Sequence, residues 1–387
     1  MKKHLLKIAS LIFVLALVLA LVLATFAACS ASGGAGGVVD ALNVECKEGA
    51  KVKNFIYVIG DGMGLEHVAA GAMTSGEACT FGDWKRASVN TDSLTSVKFR
   101  ATKTTDSAAA GTALATGVLT KNGRIGKDKD GRDTVTILDV AKSKGKATGI
   151  VTSDKLSGAT PASFSAHAMS RKDTDDIIAS QIKSGVDLLC GASSDSYAKK
   201  QGSIEQEGYA FCSDFGSRQA VLDAQKAYCL FDMGGNGGTV SLKDASKFAI
   251  DFLAKDEDGF VLMIEQAHVD KYSHKNDFGN MVKAMKALND TIAMILDWIG
   301  DRNDTAIIVT ADHETGGLSV SKQNNLPNKY DSASGTVYYA WEKKSHSDSD
   351  VGAFFFGIDF KVADYSYFNS EFLLKNCDIP KIIKAHI

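Results

Sequence analysis

The sequence lacks the features that mark several common functional classes. It has no surplus of basic residues: 43 lysines and arginines stand against 46 aspartates and glutamates, a formal net charge of −3 at pH 7. Surfaces that bind nucleic acids or anionic membranes carry basic patches, so this balance argues against both classes. No Cys-x-x-Cys pair occurs, which argues against a cysteine metal site. The glycines after the first strand-like run do not form Gly-x-Gly-x-x-Gly, so no dinucleotide site is implied.

A long apolar run is present only at the amino terminus. Three lysines precede a nearly unbroken hydrophobic stretch over 11–28, a pattern typical of a secretory signal peptide. Phe-Ala-Ala-Cys at 26–29 is similar to a bacterial lipobox, in which Cys29 is the lipidated first residue of the mature protein. The run is also long enough to cross a membrane uncleaved. Either form predicts an exported, extracytoplasmic protein that contacts the membrane only through this anchor.

The rest of the chain is predicted to form one domain. We predict a signal peptide over 1–28, a Ser/Gly-rich tether over 29–50 and a single catalytic domain over 51–387, because no repeat or linker divides the remainder. Without residues 1–28 the chain keeps 40 basic and 46 acidic residues, a balance of −6. The six cysteines after Cys29 can pair in an oxidising compartment, but the sequence selects no connectivity.

Strand-like and helical patterns alternate along this domain. Strand-like runs lie at 54–59, 147–152, 187–190, 227–231, 259–265, 305–310 and 351–356. Helical patterns lie at 64–76, 107–116, 134–144, 173–184, 241–254 and 276–299. The alternation predicts an α/β fold in which helices cover both faces of a largely parallel sheet. The more polar segments 191–226 and 318–348 are predicted to be insertions or surface hairpins.

The stretch 260–274 joins a buried strand to metal-ligand chemistry. Five apolar residues in a row lead to Glu265, and ligands of an open α/β sheet bind at the carboxyl ends of its strands. Asp270 and His274 are four residues apart, so one helical turn places both on one face, in a combination that suits zinc. Taken alone, Asp-x-x-x-His is common, and a polar helix start is the simpler interpretation.

Similar groups recur at other strand ends, which changes the balance between these interpretations. The candidate ligands are Asp61, Glu265, Asp270, His274, Asp312, His313 and His346. Each one alone fits a solvated turn or helix start. Seven ligands with three imidazoles exceed the needs of one ion and suit two zinc ions with a harder third cation. Structural roles are predicted for His67, His167 and His268.

Two further side chains are candidates for catalysis and one for the third cation. Ser107 begins an alanine-rich helical pattern, where its hydroxyl meets unpaired N–H groups that suit an alkoxide or a phosphate. A simple helix cap is the common alternative. No nearby histidine suggests a catalytic triad, so a metal would have to activate this serine. Arg171 is either a bidentate phosphate clamp or an ordinary surface arginine. Thr160 either offers a hydroxyl to a hard cation or caps the helix that begins at Pro161.

In this chain order, these residues resemble the alkaline phosphatase family. The matching stretches are Gly-Asp-Gly-Met-Gly at 60–64, Thr-Asp-Ser-Ala-Ala at 105–109, Ala-Thr-Pro at 159–161, Ala-His-x-x-Ser-Arg at 166–171, the stretch 265–274, Thr-Ala-Asp-His at 310–313 and His346. The resemblance runs from about residue 54 to the carboxyl-terminal region, and the agreement of order and spacing makes it specific. It implies a three-layer α/β/α sandwich.

The resemblance also implies a cofactor set of two Zn²⁺ and one Mg²⁺. The ligands of one zinc would be Asp270, His274 and His346. The ligands of the second would be Asp61, Asp312, His313 and the Ser107 oxygen. The third cation would be bound by Asp61, Thr160 and Glu265. Arg171 would bind the phosphoryl oxygens, and Lys271 would contact phosphate through water. Many bacterial members carry Asp two residues before the threonine, where this chain has Gly158, so the third metal stays open.

The resemblance implies hydrolysis of small phosphate monoesters through a phosphoserine on Ser107. It also implies a homodimer, the usual state in the family. Two other interpretations compete with this activity. A phosphodiesterase of the same superfamily typically uses a threonine nucleophile, and a sulfatase needs Cys/Ser-x-Pro-x-Arg, which is absent around Ser107. A non-catalytic, lipid-anchored protein that binds phosphate or metal would need neither Ser107 at a helix start nor seven ligands.

Overall fold

The computed structural model describes residues 44–46, 52–98, 103–235, 237–358, 360–362 and 372–387. The predicted signal peptide over 1–28, the lipidation site Cys29 and nearly all of the tether predicted over 29–50 lie outside the described residues. Within the described ranges, no helix combines the length and the apolar character that crossing a membrane requires.

Strands and helices alternate through the described chain. The strands are β1 (Val44–Cys46), β2 (Asn54–Gly60), β3 (Lys85–Asn90), β4 (Ala147–Thr152), β5 (Leu188–Ala192), β6 (Ala210–Cys212), β7 (Ala227–Phe231), β8 (Phe260–Gln266), β9 (Thr305–Thr310), β10 (Glu314–Thr315), β11 (Leu318–Ser321), β12 (Asn328–Ser332), β13 (Gly335–Trp341), β14 (His346–Ser347), β15 (Val351–Phe356), β16 (Phe360–Val362) and β17 (Phe372–Lys375). The helices are α1 (Leu65–Ser75), α2 (Leu94–Lys98), α3 (Ser107–Thr116), α4 (Ile137–Ser143), α5 (Ala159–Ser163), α6 (Thr174–Ile182), α7 (Asp195–Ala198), α8 (Gln201–Gln206), α9 (Leu242–Leu253), α10 (His268–Ser273), α11 (Phe278–Ile299) and α12 (Ile379–His386).

A ten-stranded sheet forms the centre of this part of the chain, in the order β17-β3-β15-β9-β2-β8-β4-β5-β7-β6. Strand β15 runs antiparallel to both of its neighbours, and the other neighbouring pairs are parallel. Separately, β11, β13 and β12 form a three-stranded antiparallel sheet, and β10 pairs with β14. The largely parallel sheet predicted from the alternation is therefore confirmed.

Helices cover both faces of the central sheet. Helices α9 and α11 pack against each other and contact β8, whereas α4 and α5 contact the same strand and pack with α3. All seven residues of β8 are buried, so the two groups of helices cover its two faces. The strand begins after Gly259, which has φ +84°, and a Cβ there would lie 2.0 Å from the carbonyl oxygen of Lys53. Only glycine fits this start.

The seven strand-like runs and six helical patterns predicted from the sequence all occur, with ends that shift by a few residues. Three strands of the main sheet, β3, β6 and β17, carry too little apolar pattern or length to be recognised. The segment 318–348 forms the hairpin sheet that was expected. The segment 191–226 differs from a simple insertion, because its strand β6 extends the main sheet next to β7.

Five cysteines in the described part of the chain are buried thiols that form no disulfide: Cys79, Cys190, Cys212, Cys229 and Cys377. Cys190, Cys229 and Cys212 occupy in-register positions on the neighbouring strands β5, β7 and β6. The fold shown here therefore holds together through core packing rather than through disulfides among these five residues.

Candidate metal centre and nucleophile

The candidate ligands gather at the carboxyl edge of the central parallel strands. Ile59 near the end of β2 is in register with Thr310 of β9 and with Glu265 of β8. Because these strands end level with one another, Asp61 and Asp312, which follow β2 and β9, come close to Glu265. This is the edge at which an open α/β sheet binds its ligands.

A glycine turn brings the end of β2 against the helix that carries Asp270. Gly62 has φ +73°, and a Cβ there would lie 2.8 Å from the Cα of Asp270. Its N–H group donates to Oδ1 of Asp312 at 3.1 Å. A side chain would push these segments apart, so the turn at 60–64 requires glycine and fixes the position of Asp61 between two other carboxylates.

Asp270, His274 and His346 form one group of candidate ligands. Oδ1 of Asp270 lies 3.2 Å from Nε2 of His274 and 3.7 Å from Nε2 of His346. Nδ1 of His274 donates to the Lys344 carbonyl at 2.5 Å. Nδ1 of His346 donates to the Thr105 carbonyl at 2.9 Å. Both rings therefore present the lone pair of Nε2, and these two nitrogens lie 3.2 Å apart. Facing lone pairs repel each other, so the arrangement suits a cation.

Asp61, Asp312 and His313 form a second group, in which the ligand atoms all lie within 4.8 Å of one another. Nε2 of His313 is 3.2 Å from Oδ2 of Asp312 and 3.6 Å from Oδ1 of Asp61. Both of these carboxylate oxygens are buried without a hydrogen-bond partner among the described residues. Buried anionic oxygens need a compensating charge, so a divalent cation fits this group.

His313 of the second group also lies next to the first group. The ligand atoms of Asp270, His313 and His346 also lie within 4.8 Å of one another, and the two imidazole rings stack with centroids 3.5 Å apart. Thr315 connects them, because its hydroxyl donates to Oδ1 of Asp270 at 2.5 Å and accepts from Nδ1 of His313 at 3.2 Å. Nε2 of His313 is thereby left free to bind a metal.

A buried glutamate joins the segments that carry His313 and His346. Strand β10 follows His313 directly and pairs with β14, which begins at His346. Glu314 of β10 accepts from the Ser347 hydroxyl of β14, from the Gly317 N–H at 3.1 Å and from the Leu318 N–H at 3.2 Å. Its side chain therefore fixes the chain on both sides of the two imidazoles.

We expect Glu314→Ala to lower the free energy of unfolding by about 2–4 kcal/mol, because it leaves buried donors without an acceptor. Denaturant unfolding of the metal-free protein measures this change. The matched control is Glu342→Ala, which removes an exposed carboxylate that pairs with Lys343 at 3.1 Å. The control should stay within about 0.5 kcal/mol of the wild type. Equal effects for both variants would contradict a connecting role for Glu314.

Ser107 lies beside the second group at the amino terminus of α3. Its Oγ is 3.1 Å from Nε2 of His313, and the residue is 4% exposed. Asp106 caps the helix by accepting from the Ala109 N–H at 3.0 Å, and it also lies 3.3 Å from Nη1 of Arg171. One carboxylate therefore sets the position of both the serine and the arginine.

The residues expected to bind the third cation also come together. Glu265 accepts a hydrogen bond from the Thr152 hydroxyl. Thr160 lies near Glu265, and its buried hydroxyl has no hydrogen-bond partner among the described residues. These oxygens, with the orphaned Oδ1 of Asp61, suit a hard cation. Lys271, expected to contact phosphate through water, pairs with Asp154, at 2.5 Å between Nζ and Oδ2.

Burial sets the protonation of these groups in the metal-free protein. It raises the pKa of Glu265 and the pKa of Asp312 to about 7 in each case. Burial, and then the charge of Asp312, raises the pKa of Asp61 well above its usual range. Burial lowers the pKa of His313 well below its usual value. A bound cation would favour the charged carboxylates and the neutral imidazole, so metal binding here releases protons.

The histidines predicted to have structural roles make hydrogen bonds away from the two ligand groups. Nδ1 of His67 accepts from the Gly64 N–H at 3.2 Å. Nδ1 of His167 lies 2.7 Å from the Gly126 carbonyl oxygen. Nδ1 of His268 is 3.1 Å from the Ser153 hydroxyl.

The sequence analysis did not identify four polar residues that surround the site: Thr152, Asp154, Glu314 and Thr315. Glu314 and Thr315 directly follow the Asp-His pair at 312–313, and this adjacency was the available signal. Thr152 and Asp154 have no such marker, because their contacts depend on how β4 ends next to β8.

These observations define an α/β protein with a candidate multi-ion centre built around a buried serine. The chain belongs to the alkaline phosphatase family, which it matches over residues 52–196 and 226–370. It is 33% identical over 293 residues to alkaline phosphatase 4 of Bacillus subtilis, covering 70% of this chain and 63% of that protein. It is 32% identical over 323 residues to alkaline phosphatase 3 of the same bacterium, covering 74% of this chain and 66% of that protein. The matched part thus spans about two thirds of these relatives.

Solved structures confirm the fold. Alkaline phosphatase from the Antarctic bacterium TAB5 superposes with a TM-score of 0.73 at 24% identity, covering 86% of this chain and 97% of that one. The cold-active alkaline phosphatase from Shewanella sp. gives 0.75 at 22% identity, covering 86% and 99%. The α/β/α sandwich expected from the family resemblance is therefore the fold of this chain.

Proposed function

We propose that this chain hydrolyses phosphate monoesters to an alcohol and inorganic phosphate through a phosphoserine intermediate on Ser107. The observation that carries the proposal is the position of the Ser107 hydroxyl. It lies at the amino terminus of α3 and 3.1 Å from Nε2 of His313, beside two overlapping groups of metal-ligand atoms. The relatives named alkaline phosphatase support the same activity.

The residues present fit two zinc ions and one magnesium ion. The proposed ligands of the first zinc are Asp270, His274 and His346. Those of the second are Asp61, Asp312, His313 and the Ser107 oxygen. The magnesium ligands are Asp61, Thr160 and Glu265. A TAB5 alkaline phosphatase variant has Mg bound in its M3 site, which supports a third cation of this kind. When bound, such ions lower the pKa of the serine hydroxyl and stabilise negative charge on phosphoryl oxygens.

The chain itself supplies the nucleophile and its orientation. The Ser107 Oγ attacks phosphorus, the bond from phosphorus to the alcohol oxygen breaks, and the alcohol departs with a proton. Water then attacks the phosphoserine, which returns the serine hydroxyl and releases inorganic phosphate. The Arg171 guanidinium offers a planar pair of donors to two phosphoryl oxygens, and Asp106 orients it.

The Arg171 fork favours monoesters over the diester alternative. A phosphate monoester presents three unesterified oxygens, so it can bind both Arg171 donors and still offer an oxygen to the cations, whereas a diester presents only two and carries less charge. We further propose that the enzyme is exported and held at the cell envelope by a lipid on Cys29, with 29–50 as its tether. Its substrates would be small phosphomonoesters that reach the envelope.

Hydrolysis of a chromogenic phosphate monoester at alkaline pH, beside a matched diester and a matched sulfate ester, tests this proposal. Each assay is run as purified, after chelation and after zinc restoration. We expect monoester turnover to be lost with chelator and to return with zinc. A preference for the diester would support a phosphodiesterase. A folded, zinc-loaded sample that turns over none of the three esters but binds phosphate would support a non-catalytic binding protein.

A further inference from the structure

An ion pair with Asp154 restrains the Lys271 side chain at the edge of the site. Its Nζ lies 2.5 Å from Oδ2 of Asp154, and the lysine directly follows the candidate ligand Asp270 on α10. The side chains are 41% and 24% exposed, so a small ligand in solution can reach the pair.

Asp154 belongs to the strand end that supports Glu265. Its N–H group donates to the Thr152 hydroxyl oxygen at 3.1 Å, and the same hydroxyl donates to Glu265. The Asp154 carbonyl accepts from the Ala192 N–H at 2.7 Å. The backbone of Asp154 is therefore fixed on two sides, and its carboxylate is close enough to act electrostatically on Glu265.

Position 158, which precedes Thr160 by two residues, offers no side chain in this protein. Gly158 directly precedes the short helix α5, where its N–H donates to the Lys155 carbonyl at 2.8 Å and its carbonyl accepts from the Ala162 N–H at 3.0 Å. The nearby negative charge that acts on both Lys271 and Glu265 comes instead from Asp154, four residues earlier in the chain.

We propose that Asp154 is a positioning residue of this site and supplies from position 154 the carboxylate that Gly158 lacks. It holds the Lys271 ammonium beside the phosphoryl group and adds negative charge next to Asp61, Thr160 and Glu265, which strengthens Mg²⁺ binding there. The role of Asp154 in placing Lys271 beside phosphate rests on the proposed function. Its role in Mg²⁺ binding concerns cation binding alone and does not depend on phosphatase activity.

An ordinary half-exposed ion pair would affect stability slightly and leave ligand binding unchanged. The chain contains a matched example of such a pair. Nζ of Lys142 lies 2.6 Å from Oδ1 of Asp187, with side chains 45% and 18% exposed. Asp187 also accepts from the Thr148 N–H at the start of β4. Asp187→Asn thus removes a comparable carboxylate at the opposite end of the same strand.

The test measures binding by titration calorimetry of zinc-loaded, full-length protein with Mg²⁺ and, separately, with inorganic phosphate. We expect Asp154→Asn to weaken Mg²⁺ binding by about 10- to 100-fold, the usual effect of losing a carboxylate that supports metal ligands. Asp154→Glu should recover most of that loss, because it restores the charge. Asp187→Asn should bind both ligands as the wild type does.

Lys271→Met provides a second variant if Asp154→Asn folds poorly. It should weaken phosphate binding by about tenfold through loss of a charge-assisted contact, and it should not weaken Mg²⁺ binding. Mg²⁺ affinity that is equal in Asp154→Asn and Asp187→Asn would overturn the proposal, as would a wild type that binds no Mg²⁺. Mg²⁺ binding needs no turnover, so failure of the phosphatase activity would be seen separately in the ester assays.

Discussion

Replacing Ser107 by alanine should lower kcat for phosphate monoesters by about 10³- to 10⁶-fold, because the change removes the nucleophile. Inorganic phosphate should still bind, since Arg171 and both ligand groups remain. Stability should change by only about 1 kcal/mol, the worth of the single hydrogen bond from the serine to His313. Steady-state kinetics and acid-quenched mass spectrometry measure the two consequences. Wild-type protein should carry phosphate on the Ser107 peptide, and the variant should carry none.

Ser170→Ala is the matched control for this experiment. Ser170 precedes Arg171, and its hydroxyl accepts from the Lys172 N–H at 3.2 Å, a contact that involves none of the candidate ligands. We expect its kcat to stay within about twofold of the wild type, as for most substitutions outside the reacting groups. Normal turnover in Ser107→Ala, or a phosphate label on another residue, would disprove the phosphoserine mechanism.

Metal removal should abolish turnover and also change how stability depends on pH. In the metal-free protein the pKa of Glu265 is raised from 4.5 to about 7 by burial. The folded state therefore keeps a proton that the unfolded chain loses, and the group lowers the free energy of unfolding as pH rises from about 4.5 to about 7. The full effect is about 3 kcal/mol, since each pKa unit corresponds to about 1.4 kcal/mol.

Glu265→Gln isolates this contribution, because the amide cannot ionise. In chelated protein we expect the variant to gain about 2–3 kcal/mol on the wild type between about pH 5 and about pH 8. With zinc and magnesium bound the order should reverse, because the variant lacks a ligand. Glu77→Gln, at an exposed position, is the control for the substitution itself. A difference between Glu265→Gln and the wild type that does not change with pH would contradict a desolvated carboxyl group at position 265.

Much of the fold could be predicted because its signals are local. Buried parallel strands such as β8 are continuous apolar runs, and the long helix α11 has a regular apolar face. Strand β3 begins with exposed Lys85 and Arg86, and β6 has three residues, so neither carries a pattern of this kind. Their place in the sheet is decided by partners that are distant in sequence.

The candidate ligands could be predicted from the sequence for a related reason. Strand ends can be located from the sequence, and residues at the ends of neighbouring parallel strands must meet. The individual contacts between the residues at those strand ends could not be predicted from the sequence. That His313 of the second ligand group also lies next to the first depends on the stacking of its ring on His346. The loss of a carboxylate at Gly158 could be seen in the sequence, but its replacement by Asp154 depends on the path of the chain after β4.

The short pairing of β10 with β14 has a consequence for how this protein can diversify. His313 and His346 are 33 positions apart, and most of the chain between them lies in the hairpin sheet of β11, β12 and β13. The pairing closes this excursion at its base, and the cost of closing a loop grows only slowly with its length. Insertions, deletions and new surfaces can therefore accumulate in the hairpins while the imidazoles keep their separation. The hairpin surface and the spacing of the metal-ligand candidates can in this sense change independently of each other.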